Sequence, residues 1–361
     1  MKRICKYAAL FAALTGLLVI ACGNDTDSSS IHSSSSNDDS KNDSGYNSNS
    51  GSIIEDGVYG FLTIKNGVVE HCSMKASGEI VIPKGVTAIK EWAFTDCNAV
   101  TSIRIPNGVR EIGKCAFQRC TNLSFVEIPS TVISIEETAF HICDSLKTVN
   151  YGGTLEQWCA LGGDTNLMRA WSVMLADGTD LKDVITLDIP VKVESIGDYA
   201  FYHCYDMRSV TIPEGVTKIG FCAFENCMSL EGVRLPTSVT SIGGYAFYGC
   251  SGLTSVVIPG NVASLEFRTF GECTCLTSVT ILDGVTSIGQ NVFENCRNLA
   301  SVSIPSSLMS IGYHAFYKCG NLTNIKFNGT QGQWISIKKE SGWDSLMGNY
   351  TITCTDGTIT K

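Results

Sequence analysis

The sequence predicts a solenoid, a right-handed coil of short parallel strands joined by turns and by short helical or irregular convex segments. Three observations predict it. Proline recurs every 23 residues, cysteine keeps the same period, and each proline ends a short run of alternating apolar residues. Self-similarity at a fixed period of this size is the mark of units that cannot bury an apolar face alone and must stack to do so.

The prolines set the period. Pro83, Pro106 and Pro129 stand 23 apart, Pro190, Pro213, Pro236 and Pro259 continue at 23, and Pro305 follows 46 further on. The skipped step falls at Leu282, inside an otherwise faithful unit. The count is nine units, three in a first block and six in a second. In Leu123-Ser-Phe-Val126-Glu-Ile128-Pro129, alternate residues bury one face of a strand. Proline then stops the strand because it has no N–H for the ladder. The unit closes as in Ile219-Gly220, Ala223-Phe224 and Cys227. Here Val, Ile, Ala and Phe pack around a tight return, and Gly permits a left-handed or closely approached backbone. Lys90, Glu136 and Glu266 fill the same place, so positive φ is not required in every coil.

Cys97, Cys120, Cys143, Cys204, Cys227, Cys250, Cys273, Cys296 and Cys319 occupy one repeat position. Equivalent positions point the same way, which is poor disulfide geometry. A ladder of small buried thiols is expected instead. Cys72, Cys115, Cys159, Cys222, Cys275 and Cys354 are scattered, and a bridge among them is not readable.

An open solenoid needs its ends covered. Phe61 to Ile64, then Lys65-Asn66-Gly67, then Val68-Val69 reads as an N-terminal hairpin cap with an Asn-Gly turn. A terminator occurs twice, as Gly153-Thr154-Leu-Glu-Gln157-Trp158 and Gly329-Thr330-Gln-Gly-Gln333-Trp334, each 24 residues after the last proline of its block. Asp-Gly-Thr follows each, at Asp177 and Asp356. Continuity of the two blocks is favoured, because Leu187-Asp-Ile189-Pro190 resumes a strand in phase. Trp158 and Trp334 read first as cap packing and second as ligand platforms.

The start of the chain reads as an address. Lys2, Arg3 and Lys6 precede an apolar run of 13 from Ala8 to Ile20, too short for a membrane span and suited to a signal core. Val19-Ile20-Ala21-Cys22 resembles the bacterial lipobox, which implies cleavage before Cys22 and lipidation of its thiol. Residues 23–52 are almost entirely Ser, Asn, Asp and Gly, a composition that cannot offset its ordering entropy. The expected division is 1–21 signal peptide, 22–56 lipidated Cys and flexible tether, 57–82 N-terminal cap, 83–180 first block with terminator, and 181–361 second block with C-terminal cap.

Composition narrows the function. A net charge of −9 with no Lys/Arg cluster beyond the extreme N-terminus argues against nucleic acid. The five histidines, His32, His71, His141, His203 and His314, form no motif with a carboxylate or with each other. No P-loop, nucleophile elbow or dinucleotide fingerprint is present, and no cysteine pairing completes a zinc site. The expectation is a non-catalytic protein without metal or cofactor.

The pattern Ile-Pro-x-x-Val-x-x-Ile-Gly-x-x-Ala-Phe-x-x-Cys is similar to the BspA-like leucine-rich repeats of bacterial surface proteins, over about residues 57–361. Thr269 and Val292 replace the Ala, and Met207 and Val100 replace the Leu, as conservative core changes. The resemblance implies a leucine-rich-repeat solenoid, lipid-anchored to the cell envelope at the outer membrane or cell surface. It further implies adhesion to host extracellular-matrix or cell-surface proteins, or to other cells.

Residues two and four before each proline face outward from the strands. They form a strip that is mostly Ser and Thr. It reads either as a solvated sheet face or as a ligand surface with Arg104, Phe125, Glu127 and Arg234 as anchors, because Arg and aromatics dominate hot spots. The alternatives to adhesion are a polysaccharide-binding or structural envelope protein and, remotely, an enzyme of unrecognised type.

Overall fold

In the computed structural model, residues 54–361 other than 137, 162 and 163 are described. The signal segment, Cys22 and the tether up to residue 53 lie outside them. Each 23-residue unit makes one turn of a parallel β-solenoid with two ladders. The longer strands form one ladder, in which Ser255, Ser278 and Ser301 pair in line, as do Val256, Val279 and Val302. Two-residue strands such as Ser195–Ile196 and Lys218–Ile219 form the other. The pairing offset equals the sequence period, so alternate residues of every strand enter one core. At the N-terminal end Leu62–Lys65 and Val68–Cys72 form the expected hairpin, with Asn66 and Gly67 both left-handed at its turn.

The return carries the unusual backbone. Two residues per regular coil are left-handed and mostly not glycine, for example Cys115 (φ 55°) with Arg119 (58°) and Cys222 (53°) with Asn226 (58°). Such angles are sparsely populated for side-chain-bearing residues. They are held by bonds between coils, as from Phe117 N to the Ala139 carbonyl at 2.7 Å and from Arg119 N to that of His141 at 2.8 Å. The repeat glycine has a different job. A Cβ on Gly113 would lie 2.6 Å from the Glu91 nitrogen, and one on Gly220 the same distance from that of Asp198. Close approach of coils, not positive φ, requires Gly there.

Stacked phenylalanines run through the core. Phe94, Phe117 and Phe140 have centroids 4.8 and 4.9 Å apart. The series Phe201, Phe224, Phe247, Phe270, Phe293 and Phe316 repeats at 5.2 to 5.8 Å. Burying each ring contributes about 2–3 kcal/mol. The ladder cysteines are buried and unbridged, and their use is specific. Seven of the nine thiols donate to the carbonyl of the phenylalanine one coil earlier, as Cys120 to Phe94 (3.1 Å), Cys250 to Phe224 (3.2 Å) and Cys319 to Phe293 (3.0 Å), whereas Cys97 donates to the carbonyls of Cys72 and Ser73. The scattered cysteines are unbridged too, and of them Cys275 alone is exposed.

The stack has about 12 turns, more than the nine that proline and cysteine count. The terminators wind into turns as well. Thr148–Tyr151, Ser172–Met174, Asn324–Phe327 and Thr351–Cys354 extend the parallel ladder without the Pro–Cys signature. Their Thr-x-x-Gln is a capping box. Thr154 Oγ1 accepts from Gln157 N at 3.3 Å while Gln157 Oε1 accepts from Thr154 N at 3.0 Å, starting helix α1 (Leu155–Leu161). A second short helix, α2 (Thr165–Met168), follows. Thr330 and Gln333 do the same for α3 (Gln331–Ser336). Trp158 and Trp334 are buried, as cap packing requires.

At the junction of the blocks the long-strand ladder stops. After Ser172–Met174 the chain turns through Asp177-Gly178-Thr179, and Met174 bridges Asp180 antiparallel. The second Asp-Gly-Thr likewise turns Thr351–Cys354 into the antiparallel Gly357–Thr360. Thr186–Asp188 then opens a new sheet. On the opposite side the blocks are joined. Gly197 N donates to the Cys159 carbonyl at 2.7 Å, where a regular coil offers an isoleucine carbonyl. The Lys182 ammonium reaches the carbonyl of Met168 at 2.7 Å and also that of Tyr202. One hydrophobic core runs through both blocks.

Candidate binding surface

The strand register builds a side-chain cluster on the outward strip. Ser102 pairs with Phe125 and Arg104 with Glu127, so the three anchors expected from the sequence occupy adjacent strands. Arg104 Nε donates to Glu79 at 2.6 Å, and another guanidinium nitrogen donates to Glu127. The same guanidinium lies 5.3 Å from the centre of the Phe125 ring. These half-exposed ion pairs contribute little stability, because solvent screens them. Their effect is to hold Arg104 in one orientation. Arg234 stands apart. It is 89% exposed at its side chain and pairs with Glu214 at 3.7 Å.

Glu79 was legible, since it stands four residues before Pro83 as Ser102 does before Pro106. Its ladder slips by one residue at Gly78/Glu79. Glu127 also lines a shallow cleft of about 330 Å³, walled by Asn150, Gly152, Met174 and the turn Leu175 to Gly178. Trp171, one residue before Ser172 of the strand that pairs through Thr148 with Phe125, is 69% exposed, with the Lys147 ammonium 5.7 Å from its ring. Sequence reasoning missed Trp171 because it lies in the terminator, off the 23-residue period.

Two titratable groups of the second block are held inside the fold. His203 is buried between Tyr205 (2.8 Å) and Asn226 (3.1 Å). Burial, then Lys182 and Arg169, pushes its imidazole down to about 2, which keeps it neutral. Burial pushes the Glu225 carboxyl up to about 7. Among the described residues no group of three or more His, Cys, Asp or Glu could hold a metal ion. Among the same residues no helix is long and apolar enough to cross a membrane.

A stacked parallel solenoid with an outward strand strip, arginine and aromatics clustered on it, defines a repeat protein of the leucine-rich class. The model of the BspA type leucine rich repeat region matches in six copies, over residues 62–159, 180–297 and 264–341, and the chain belongs to that family. A leucine-rich repeat protein from Eubacterium ventriosum has a similar structure, with 19% identity over 74% of this chain and 76% of that one and a TM-score of 0.54. A leucine rich cell surface protein from Faecalibacterium prausnitzii matches at 23% identity over 81% and 100%, TM-score 0.41. The pneumococcal vaccine antigen PcpA matches at 18% over 82% and 98%, TM-score 0.44. No curated protein matches the chain.

Proposed function

We propose that this chain is a surface-displayed adhesion lipoprotein that grips protein partners with the strand face of its first block. The observation that carries the reading is the fixed group of Arg104, Phe125 and Glu127 on adjacent strands, with the exposed Trp171 at the head of a strand two further along the same sheet. Arginine and large aromatics supply most binding energy at protein interfaces, and pre-ordered side chains lose less entropy on docking. Host extracellular-matrix and cell-surface proteins, or the surfaces of other cells, are the partners that fit a tethered solenoid. The lipobox-like Val19 to Cys22 supplies the anchor, through acyl chains on Cys22.

The test is a binding panel of immobilised matrix proteins against the full chain. Phe125→Ala with Trp171→Ala is expected to weaken capture at least tenfold, and Arg234→Ala to leave it unchanged. Equal capture by the double variant, or capture by no protein of the panel, overturns the reading. Cys22→Ala is expected to move the protein from the detergent to the aqueous phase, and intact cells should release the solenoid when shaved with protease.

A further inference from the structure

The return segments of the second block carry a second aromatic feature, separate from the core stack and from the strand face. Tyr199, Phe221, Tyr245 and Phe267 form a line across four coils, with centroids 5.6, 5.7 and 5.3 Å apart. Adjacent rings meet edge to face at 70 to 76°. Their sequence spacing is 22, 24 and 22, not 23. The aromatic thus alternates between two neighbouring repeat positions. The core phenylalanines, which only pack, keep strict register and lie nearly parallel. The same two positions in the first block hold Glu91 with Trp92 and Lys114 with Cys115, and form no such line among the described residues.

The line is not sealed from water. Phe221 and Phe267 are each 40% exposed and flank the half-buried Tyr245. They stand two coils apart, about 10 Å at strand spacing, which is the scale of two linked sugar rings. Contiguous exposed aromatic surface on a soluble domain marks a contact site.

The polar groups around the line decide the ligand class. Arg268 lies over Tyr245, Tyr248 and Phe267 at 5.3 to 5.9 Å and pairs with Glu294 at 3.1 Å. Its Nε is buried and makes no hydrogen bond among the described residues. Glu225, Glu272 and Glu294 all lie close enough to act on the Tyr248 phenol. The Arg268 guanidinium is already paired with Glu294, and Glu272 adds a further carboxylate, which disfavours a polyanion. These groups suit a neutral chain of hydroxyls, which donate to carboxylates, while its C–H faces stack on the electron-rich ring faces.

We propose that the Tyr199–Phe221–Tyr245–Phe267 line is a binding site for a neutral polysaccharide, distinct from the protein-binding strand face. The experiment is affinity electrophoresis of the full chain in native gels containing yeast mannan, barley β-glucan, xylan or dextran, with heparin as the polyanion. The expected result is retardation by at least one neutral polysaccharide. Phe221→Ala with Phe267→Ala should raise its dissociation constant at least tenfold, while Phe125→Ala leaves it unchanged. Should the alanine pair fail to fold by circular dichroism, Phe221→Leu with Phe267→Leu keeps the apolar volume without the rings and should lose retardation equally. Retardation by no neutral polysaccharide, retardation by heparin alone, undiminished retardation in the ring-less variants, or retention only on protein baits overturns the proposal.

Discussion

The indole Nε1 of Trp158 donates to the carbonyl of Ala200 at 2.8 Å. In regular coils that carbonyl position is served by the backbone N–H of the preceding phenylalanine, as Phe201 N serves Ala223 at 2.8 Å. A side chain therefore stands in for a missing coil. Lys182 does the same for Tyr202, whose counterpart Glu225 receives His203 N at 2.9 Å. The two blocks join because two long side chains span a gap that the irregular terminator leaves in the backbone pattern.

Trp158→Phe keeps the apolar filling and removes the donor. The Ala200 carbonyl is left buried without its cross-coil partner, at a cost of about 1–3 kcal/mol. Urea unfolding followed by circular dichroism should show the midpoint falling by a corresponding amount. An unchanged midpoint would show that the bond contributes nothing at the junction.

The thiol ladder should be chemically silent in the folded protein. Burial raises the Cys250 thiol above its ordinary value, and Cys227 and Cys273 likewise. A thiolate is the reactive form. Of the cysteines in the described residues, Cys275 is the one expected to react rapidly with a thiol reagent, since it alone is exposed. The remainder should react only on unfolding. Cys250→Ala should cost about 1–2 kcal/mol through the lost S–H···O bond and the small void. Rapid native modification of several ladder cysteines would refute the buried-donor role.

Glu225 gives the fold a pH dependence with a definite sign. Burial lifts its carboxyl from 4.5 to about 7, against smaller opposing effects of Cys222 and Arg169. Between those values the folded state keeps a proton that the unfolded state releases. This contribution is full below pH 4.5 and is lost as pH rises through about 7. Glu225→Gln, which retains an acceptor for Asn226, should stabilise the protein at pH 8 by on the order of 2 kcal/mol. The gain should vanish at pH 4. Thermal melts of both proteins across that range are the measurement, and a gain independent of pH would remove Glu225 as its source.

Gly220→Ala tests the close approach of coils. The added carbon would fall 2.6 Å from the Asp198 nitrogen, and backbone must shift to admit it. A loss of about 1–3 kcal/mol is expected from such overpacking. Gly215→Ala, with nothing within 4 Å of the new carbon but a φ of 112°, separates backbone strain from steric contact. Equal stability of Gly220→Ala and the parent chain would count against contact as the reason for that glycine.

The sequence by itself determined the period, the strand and its proline stop, the core phenylalanines and the cysteine ladder. These are repeated local patterns, and stacking in register carries each position onto its equivalent, so Val256 must meet Val279 and Val302. It also placed Arg104, Phe125 and Glu127 on adjacent strands through the same arithmetic. The tertiary structure decided what has no period. It left Trp171 exposed at the head of Ser172–Met174 and Arg234 exposed beside Glu214. It wound the terminators into extra turns, and it assigned the repeat glycine to close approach while left-handed angles went to Cys222 and Asn226. It also drew Trp158 and Lys182 across the junction. Each of these depends on which donors and acceptors the neighbouring coil leaves unpaired, and that is settled only when the coils are in contact.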